Sequence, residues 1–209
     1  MNSTHLISVL TADDHPIVRE GIAGAVDGES DMCVIAEATN GLEAVELHRL
    51  HRPDITLMDL QMQEMGGLEA LEAIRSESPS ARIIMLTTYD GDIQAVRALR
   101  AGAQGYLLKS MLRKELLATI RAVHGGERCI PVEIAKRIAE HAGDTVLTTR
   151  EIQVLRLVAS GHSNKITAAR LAVAEDTVKN HMSSILAKLS ANDRTHAVTI
   201  AMRRGFLDG

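Results

Sequence analysis

Four short apolar runs in the first part of the chain end at polar residues that could act together. The residues at these ends are Asp13 and Asp14, then Asp59, Thr87 and Lys109. If the runs are parallel strands, these residues meet at the carboxyl edge of one sheet, where open α/β sheets bind ligands. Carboxylates this close repel one another unless a hard cation lies among them, and such oxygen ligands suit Mg²⁺. The ammonium and the hydroxyl can bind the oxygens of a phosphoryl group.

Alternating strand and helix patterns in residues 1–124 predict the sheet that would position this site. A further strand is predicted at Met32–Ala36, and apolar residues at helical spacing follow each strand. Pro16 fits the first turn of the first helix, and Asn40 with Glu43 resembles a capping box at the start of the second. Five strands and five helices in strict order predict a doubly wound parallel sheet, with right-handed crossovers on both faces.

Residues 147–209 predict a smaller, all-helical domain, joined to the first by a linker at residues 125–146. Gly125-Gly126 ends the fifth helix of the first domain. Four helices are predicted after the linker, and the first begins with a capping box at Thr148–Glu151. The second and third helices are joined by a tight turn at Ala172–Val173, which is typical of helix-turn-helix proteins.

Charge also divides the chain. The first 146 residues carry 14 lysines and arginines and 22 aspartates and glutamates, whereas residues 147–209 carry 9 and 5, so the net charges are −8 and +4. This asymmetry suggests a nucleic-acid contact confined to the second domain. Two ordinary solvated surfaces are the alternative interpretation, and a charge surplus of this size by itself favours that alternative.

Composition excludes several classes of protein. Aromatic residues make up 1% of the chain, which excludes nucleic-acid binding by base stacking on aromatic platforms. Cys33 and Cys129 have no paired spacing, so we expect reduced thiols. His48 and His51 lie three residues apart on a predicted helix without a third metal ligand, and we expect both to be solvated. Because no apolar run approaches roughly 18 residues and the start lacks a basic region, we expect no membrane partner and a cytoplasmic location.

Seven segments carry a family resemblance that covers nearly the whole chain. Four of them resemble the receiver domain of a two-component response regulator, namely Ala12–Gly21, Met58–Met62, Thr87–Asp90 and Gly105–Lys109. Three resemble the LuxR-type output domain of the NarL/FixJ subfamily, namely Leu147–Glu151, Ser163–Lys165 and Thr177–His181. The resemblance implies a flavodoxin-like receiver domain followed by a four-helix helix-turn-helix domain.

The resemblance also implies roles for residues of the receiver. Asp59 would be the phosphoacceptor, since a carboxylate can attack phosphorus to form an acyl phosphate. The ligands of Mg²⁺ would be Asp14, Asp59 and the backbone carbonyl of Gln61, with Asp13 close by or acting through water. The residues that contact the phosphoryl group, or move when it arrives, would be Thr87, Tyr106 and Lys109.

In the output domain the resemblance implies a DNA interface. Lys179, Asn180 and Ser183 would face base edges from the start of the third helix. The candidates for phosphate contacts or local support are Lys165, Thr177, His181 and Arg194. A plain helix surface is the alternative interpretation for all of these residues.

Six positions depart from the family pattern. Gln63 replaces a proline after the phosphoacceptor, which removes a fixed φ from the loop. Ser110 follows the lysine where Asp or Pro is common, and Thr11 occupies a position that is usually apolar. Ala174 replaces a Ser or Thr cap on the recognition helix. Ile166-Thr167 replaces the usual Glu-Ile order, in which the second residue is buried.

The expected function is that of a DNA-binding transcription regulator, not of an enzyme. A histidine kinase or a small phosphodonor would phosphorylate Asp59, and the protein would then form a homodimer on paired half-sites of promoter DNA. One alternative is a phosphatase of the haloacid-dehalogenase type, which predicts an acid at the position of Gln61. A second alternative is an orphan regulator with a vestigial receiver. The complete acidic set argues against this second alternative, whereas Gln63 is compatible with it.

Overall fold

The computed structural model describes residues 6–88, 92–140 and 147–207. Within these ranges the chain forms two compact units. The first unit comprises residues 6–88 and 95–135, and the second comprises residues 92–94, 136–140 and 147–207.

Some of the predicted features fall outside these ranges. They are Tyr89 and Asp90 of the third receiver-like segment, together with residues 141–146 of the predicted linker. Among the helices that the structure describes, none is both long enough and apolar enough to cross a membrane.

A five-stranded parallel sheet lies at the centre of the first unit. Its strands are β1 (Ile7–Ala12), β2 (Met32–Ala38), β3 (Ile55–Asp59), β4 (Ile83–Thr87) and β5 (Gly105–Leu108). The strand order is β2-β1-β3-β4-β5, and every neighbouring pair is parallel. Every residue of β3 and β4 is buried, as expected for central strands covered on both faces. The predicted doubly wound sheet of flavodoxin-like order is confirmed.

Helices cover both faces of this sheet. They are α1 (Pro16–Asp27), α2 (Gly41–His51), α3 (Gly67–Glu77), α4 (Asp92–Arg100) and α5 (Leu112–His124). A short 3₁₀ turn at Lys109–Met111 precedes α5. On one face, α1 and α5 pack against the strands through apolar residues such as Ile22 and Ile120. On the other face, α2 packs beside α3.

The prediction that His48 is solvated was wrong. Its side chain is buried, and its Nδ1 atom lies 3.1 Å from the Thr56 hydroxyl oxygen on β3. Burial lowers the pKa of His48, against a smaller opposing effect of Glu77. His51, one turn further along α2, is exposed as expected. The spacing of the two histidines could not predict which of them is buried, because only the packing of α2 on the sheet decides which face of the helix is buried.

The second unit is helical. Helix α6 (Val132–Glu140) lies within the predicted linker, and it is followed by α7 (Thr149–Ala159), α8 (Asn164–Leu171), α9 (Glu175–Leu189) and α10 (Arg194–Arg204). Apolar residues such as Val154, Val178 and Ile185 form a shared core. The turn between α8 and α9 contains Ala172, whose φ of 53° lies in the left-handed region. The predicted helix-turn-helix and the four helices after the linker are confirmed.

Glu151 links the start of α7 to α9. Its carboxylate accepts hydrogen bonds from the Thr148 N–H at 2.7 Å, the Ser184 hydroxyl at 2.6 Å and the Lys188 ammonium at 2.7 Å. Burial by itself raises the pKa of Glu151, but these hydrogen bonds outweigh burial and lower the pKa to about 2. The predicted capping box is confirmed, and its glutamate also holds α9 against α7.

Two departures from the family pattern place hydroxyl groups in apolar cores. Thr11 in β1 and Thr167 in α8 are fully buried, and neither Oγ1 atom has a hydrogen-bond partner in the described part of the chain. Ile166, the residue before Thr167, is 48% exposed. The pair Ile166-Thr167 therefore puts the apolar side chain outside and the hydroxyl inside, and an orphaned buried hydroxyl costs stability.

Thr167→Val is expected to stabilise the protein by about 1 kcal/mol, because a methyl group of similar volume replaces the orphaned hydroxyl. The measurement is the free energy of unfolding of the full chain in urea, followed by far-ultraviolet circular dichroism. Thr195→Val, at an exposed position of α10, is the matched control and should change this free energy by less than about 0.5 kcal/mol. A less stable Thr167→Val protein would mean that the hydroxyl supports the fold.

Candidate functional site

Buried charged residues from three strand ends meet at the carboxyl edge of the sheet. Asp13 follows β1, Asp59 ends β3 and Lys109 follows β5. The Lys109 ammonium lies 2.7 Å from Asp13 Oδ2 and 2.8 Å from Asp59 Oδ2. Asp13 is fully buried, and the Lys109 side chain is only 10% exposed. The structure therefore brings together three of the residues that were predicted to meet at the carboxyl edge of the sheet.

The surroundings of Asp59 change its acidity. Burial raises the pKa of its carboxyl group to about 6, while Lys109 opposes this shift and the negative charge of Asp13 adds to it. The pKa of Lys109 is also raised, because its bonds to the two carboxylates outweigh the opposite effect of burial. Asp59 is therefore mostly ionised at neutral pH, but it takes up a proton more readily than an ordinary aspartate.

Asp14 and His15 complete a group of four potential metal ligands. One donor atom from each of Asp13, Asp14, His15 and Asp59 lies within 4.8 Å of the others. Asp14 Oδ1 is buried and makes no hydrogen bond within the described ranges. A buried oxygen that makes no hydrogen bond and lies among carboxylates fits a site for a hard cation. His15 was not among the predicted ligands, although its place directly after the aspartate pair was a usable signal.

Backbone contacts hold the loop that follows Asp59. The Leu60 N–H donates to the Leu86 carbonyl at 2.9 Å, and the Gly67 N–H donates to the Leu60 carbonyl at 3.0 Å. A Cβ atom on Gly67 would collide with the Asp59 backbone, so the close approach requires glycine. Gln61 is partly buried in this loop, whereas Gln63 is exposed.

Thr87 and Tyr106 are buried in adjacent strands. The register of β4 and β5 pairs Met85 with Tyr106 and Thr87 with Leu108. Because side chains alternate between the two faces of a sheet, Thr87 and Tyr106 lie on the same face. This placement is compatible with the expected movement of Tyr106 into space left by Thr87, which stays a prediction.

The predicted DNA-binding residues lie mainly on α8 and α9. The exposed ones are Lys165, Lys179, Asn180, Ser183 and Arg194, and the partly buried ones are Thr177 and His181. Ser183 is a surface neighbour of both Asn180 and Lys179, because residues three and four apart on a helix are adjacent. These three side chains form a continuous polar patch on α9.

Two basic residues of this surface, Lys179 and Arg194, already have partners within the protein. The N-cap residue Ala174 lacks a side-chain hydrogen bond. Lys179 Nζ lies 2.9 Å from Asp176 Oδ1 and 3.8 Å from Glu175 Oε1, so the acidic first turn of α9 partly neutralises its charge. Arg194 donates to the His162 carbonyl at 2.9 Å and thereby supports the turn between α7 and α8. Ala174 is the N-cap of α9 and makes no side-chain cap, as predicted.

Comparison with known proteins identifies the family. Residues 9–121 match the response regulator receiver domain, and residues 145–201 match the LuxR family of bacterial regulatory proteins. The transcriptional regulatory protein YdfI of Bacillus subtilis is 42% identical over 207 residues, which are 95% of this chain and 97% of that protein. The response regulator protein VraR of Staphylococcus aureus is 35% identical over 206 residues, which are 96% of this chain and 99% of that protein.

Solved structures agree with this comparison. The crystal structure of the response regulator ChrA of a heme-sensing two-component system has a TM-score of 0.57 and 32% identity, and the match covers 97% of this chain and 99% of that one. A structure of the response regulator RcsB in complex with DNA has a TM-score of 0.69 at 22% identity and has the same fold. This chain belongs to the response regulators that join a receiver domain to a LuxR-type DNA-binding domain.

Asp59→Asn is expected to stabilise the metal-free protein at pH 7 by about 1–3 kcal/mol, because it removes a buried charge whose pKa is raised to about 6. The folded state binds the carboxyl proton more tightly than the unfolded state does. The destabilisation by Asp59 is therefore complete above about pH 6, and it fades as the pH falls towards the ordinary pKa of 3.8.

Urea denaturation with a chelator at several pH values measures this effect. Glu64→Gln, at an exposed position of the same loop, is the control and should show no comparable pH dependence. An Asp59→Asn protein that is less stable than the wild type at pH 7 would contradict the prediction.

Proposed function

We propose that this protein regulates transcription in response to phosphorylation of Asp59 by a sensor histidine kinase. The observation that carries the proposal is the buried Lys109 ammonium, which lies within 2.8 Å of carboxylate oxygens of both Asp13 and Asp59. An ammonium at this position can pair with an oxygen of a phosphoryl group on Asp59 while it keeps its contact with Asp13.

The reaction requires an ionised Asp59. One carboxylate oxygen attacks phosphorus, an O–P bond forms, and the P–N bond to the phosphohistidine of the kinase breaks with its electron pair on the imidazole. With a pKa of about 6, Asp59 is mostly ionised at neutral pH and can act as this nucleophile. In this proposal the Thr87 hydroxyl donates to a second phosphoryl oxygen, and Tyr106 moves into the space that Thr87 leaves.

The oxygen donors around Asp59 fit Mg²⁺. In this proposal its ligands are Asp14, Asp59 and the backbone carbonyl of Gln61, with Asp13 contributing directly or through water. Bound Mg²⁺ neutralises negative charge on the phosphoryl oxygens. The Asp14 Oδ1 atom supports the assignment, because it is buried and makes no hydrogen bond within the described residues, and a buried carboxylate oxygen of this kind is costly unless a cation compensates it.

Phosphoramidate with Mg²⁺ is expected to add one phosphoryl group to the wild-type protein and none to Asp59→Asn, because the proposal assigns the attack on phosphorus to Asp59 and assigns Asp13, the other carboxylate beside the Lys109 ammonium, to the metal. Intact-protein mass measurement checks this expectation. Glu64→Gln changes a carboxylate of the same loop and should be labelled like the wild type. Equal labelling of Asp59→Asn would reject Asp59 as the phosphoacceptor.

The second unit supplies the DNA contact in this proposal. The polar patch of Lys179, Asn180 and Ser183 would enter the major groove and contact base edges. Phosphate contacts are assigned to residues beside this patch, namely Lys165, Thr177 and His181. Arg194 supports the turn before α8 through its bond to the His162 carbonyl.

Phosphorylation can change DNA binding only if it favours one state of the protein over another. We assign this role to a homodimer that forms on phosphorylation, with two helix-turn-helix units about one helical turn apart on promoter DNA. Analytical ultracentrifugation with and without phosphodonor tests the coupling. Equal dimerisation in both states would favour the alternative of a vestigial receiver.

Lys179→Ala is expected to lower the affinity for a cognate promoter fragment. It should also reduce the discrimination between bases at one base pair by about 1–3 kcal/mol. Asp176→Asn should have the opposite effect on affinity, because it frees Lys179 and removes a negative charge from the surface. Binding titrations at several salt concentrations measure both effects.

Arg128→Ala, at an exposed position of the first unit, removes the same charge as Lys179→Ala and is the matched control. It should leave the affinity and the sequence preference unchanged. If Lys179→Ala reduces the salt dependence by about one unit without changing sequence preference, Lys179 contacts phosphate and does not read a base.

A further inference from the structure

We propose that His15 is a ligand of the metal site and that its imidazole makes the site favour divalent transition metals, such as Mn²⁺, over Mg²⁺. The inference rests on the proposed function, because it concerns the same acidic site. Its test measures metal binding and does not depend on phosphorylation.

The distances around His15 match those between ligands of one ion. His15 Nδ1 lies 2.7 Å from Asp14 Oδ1 and 3.2 Å from Asp13 Oδ1. Neighbouring ligands of a six-coordinate ion of this size lie about 3 Å apart, because each is roughly 2.1 Å from the ion. The nitrogen and the two carboxylate oxygens are thus spaced as three ligands of one ion would be.

The short approach of His15 to Asp14 lacks the geometry of a hydrogen bond. Asp14 Oδ1 has no hydrogen-bond partner in the part of the chain that the structure describes, even though His15 Nδ1 is 2.7 Å away. The two atoms are therefore close without the geometry of a donor and an acceptor. The same Nδ1 atom lies 3.2 Å from Asp13 Oδ1, so the imidazole and the carboxylates converge on one point, as ligands do around a bound cation.

The backbone holds His15 in this position. His15 is the N-cap of α1, with a φ of −93° and a ψ of 110°, and Pro16 follows it. A residue before proline is restricted to extended conformations, so the backbone of His15 has little freedom at the start of α1. The His15 N–H donates to Asp13 Oδ1 at 2.9 Å, which ties the two residues together. The imidazole is 66% exposed, so an ion can reach it from solvent.

The nitrogen donor distinguishes between metals. Mg²⁺ prefers oxygen ligands and retains water, whereas transition metals accept imidazole nitrogen. Neutral imidazole binds through Nδ1 when the proton lies on Nε2. Loss of His15 should therefore weaken the binding of a transition metal more than that of Mg²⁺.

Electron spin echo envelope modulation of Mn²⁺ bound to the full-length protein tests the proposal directly. We expect modulation from a coordinated ¹⁴N nucleus, and we expect ¹⁵N-labelled histidine to change it in the wild-type protein. His15→Asn should abolish the nitrogen coupling and lower the ratio of Mn²⁺ to Mg²⁺ affinity by about tenfold. His51→Asn, at an exposed position of α2, is the matched control and should change neither.

Two further outcomes are distinguishable. Mn²⁺ that binds with an affinity sensitive to Asp14→Asn, but without nitrogen coupling in the wild-type protein, would overturn the role of His15 and leave the proposed function standing. Absence of both Mn²⁺ and Mg²⁺ binding would overturn the metal site itself and with it the metal-dependent part of the proposed function. Because the wild-type spectrum is informative by itself, the test does not depend on the folding of a variant.

Discussion

The contacts of Lys109 with Asp13 and Asp59 hold three buried charges at one point of the sheet, and the receiver-like unit depends on this balance. Removing such charges from water costs several kcal/mol each unless they are paired and hydrogen-bonded. The pairing here is incomplete, since burial raises the pKa of Asp59 to about 6 and Asp14 Oδ1 makes no hydrogen bond within the described residues. A site with this excess of negative charge is sensitive to any added cation or to any change in the charge of Asp59.

Glu151 in the second unit is also a buried carboxylate, but its pKa is lowered where that of Asp59 is raised. It is buried like Asp59, but donors from Thr148, Ser184 and Lys188 satisfy its carboxylate, and its pKa falls to about 2. The number of donors therefore separates a carboxylate that holds two helices together from one whose pKa is raised. Glu151 thereby joins α7 to α9, the helix that carries the polar patch.

The departures from the family pattern reduce stability more than they alter geometry. Thr11 and Thr167 bury hydroxyl groups without partners, and Ala174 leaves the start of α9 without a side-chain cap. None of them changes the order of strands or helices. Natural proteins tolerate such losses as long as the fold stays above the stability that function requires.

Much of the fold and part of the site could be predicted from the sequence by local rules. The five strands, the crossover helices and the meeting of Asp13, Asp59 and Lys109 follow from apolar periodicity, because parallel strands share one carboxyl edge. The capping box at Thr148–Glu151 was equally predictable, since it involves neighbours three residues apart. Tertiary structure alone decided that His48 is buried against Thr56, and that Glu151 bonds to Ser184 and Lys188, which lie 33 and 37 residues away. These contacts depend on which face of each helix packs inward and on the rotamers that packing selects, and neither is encoded in residue spacing.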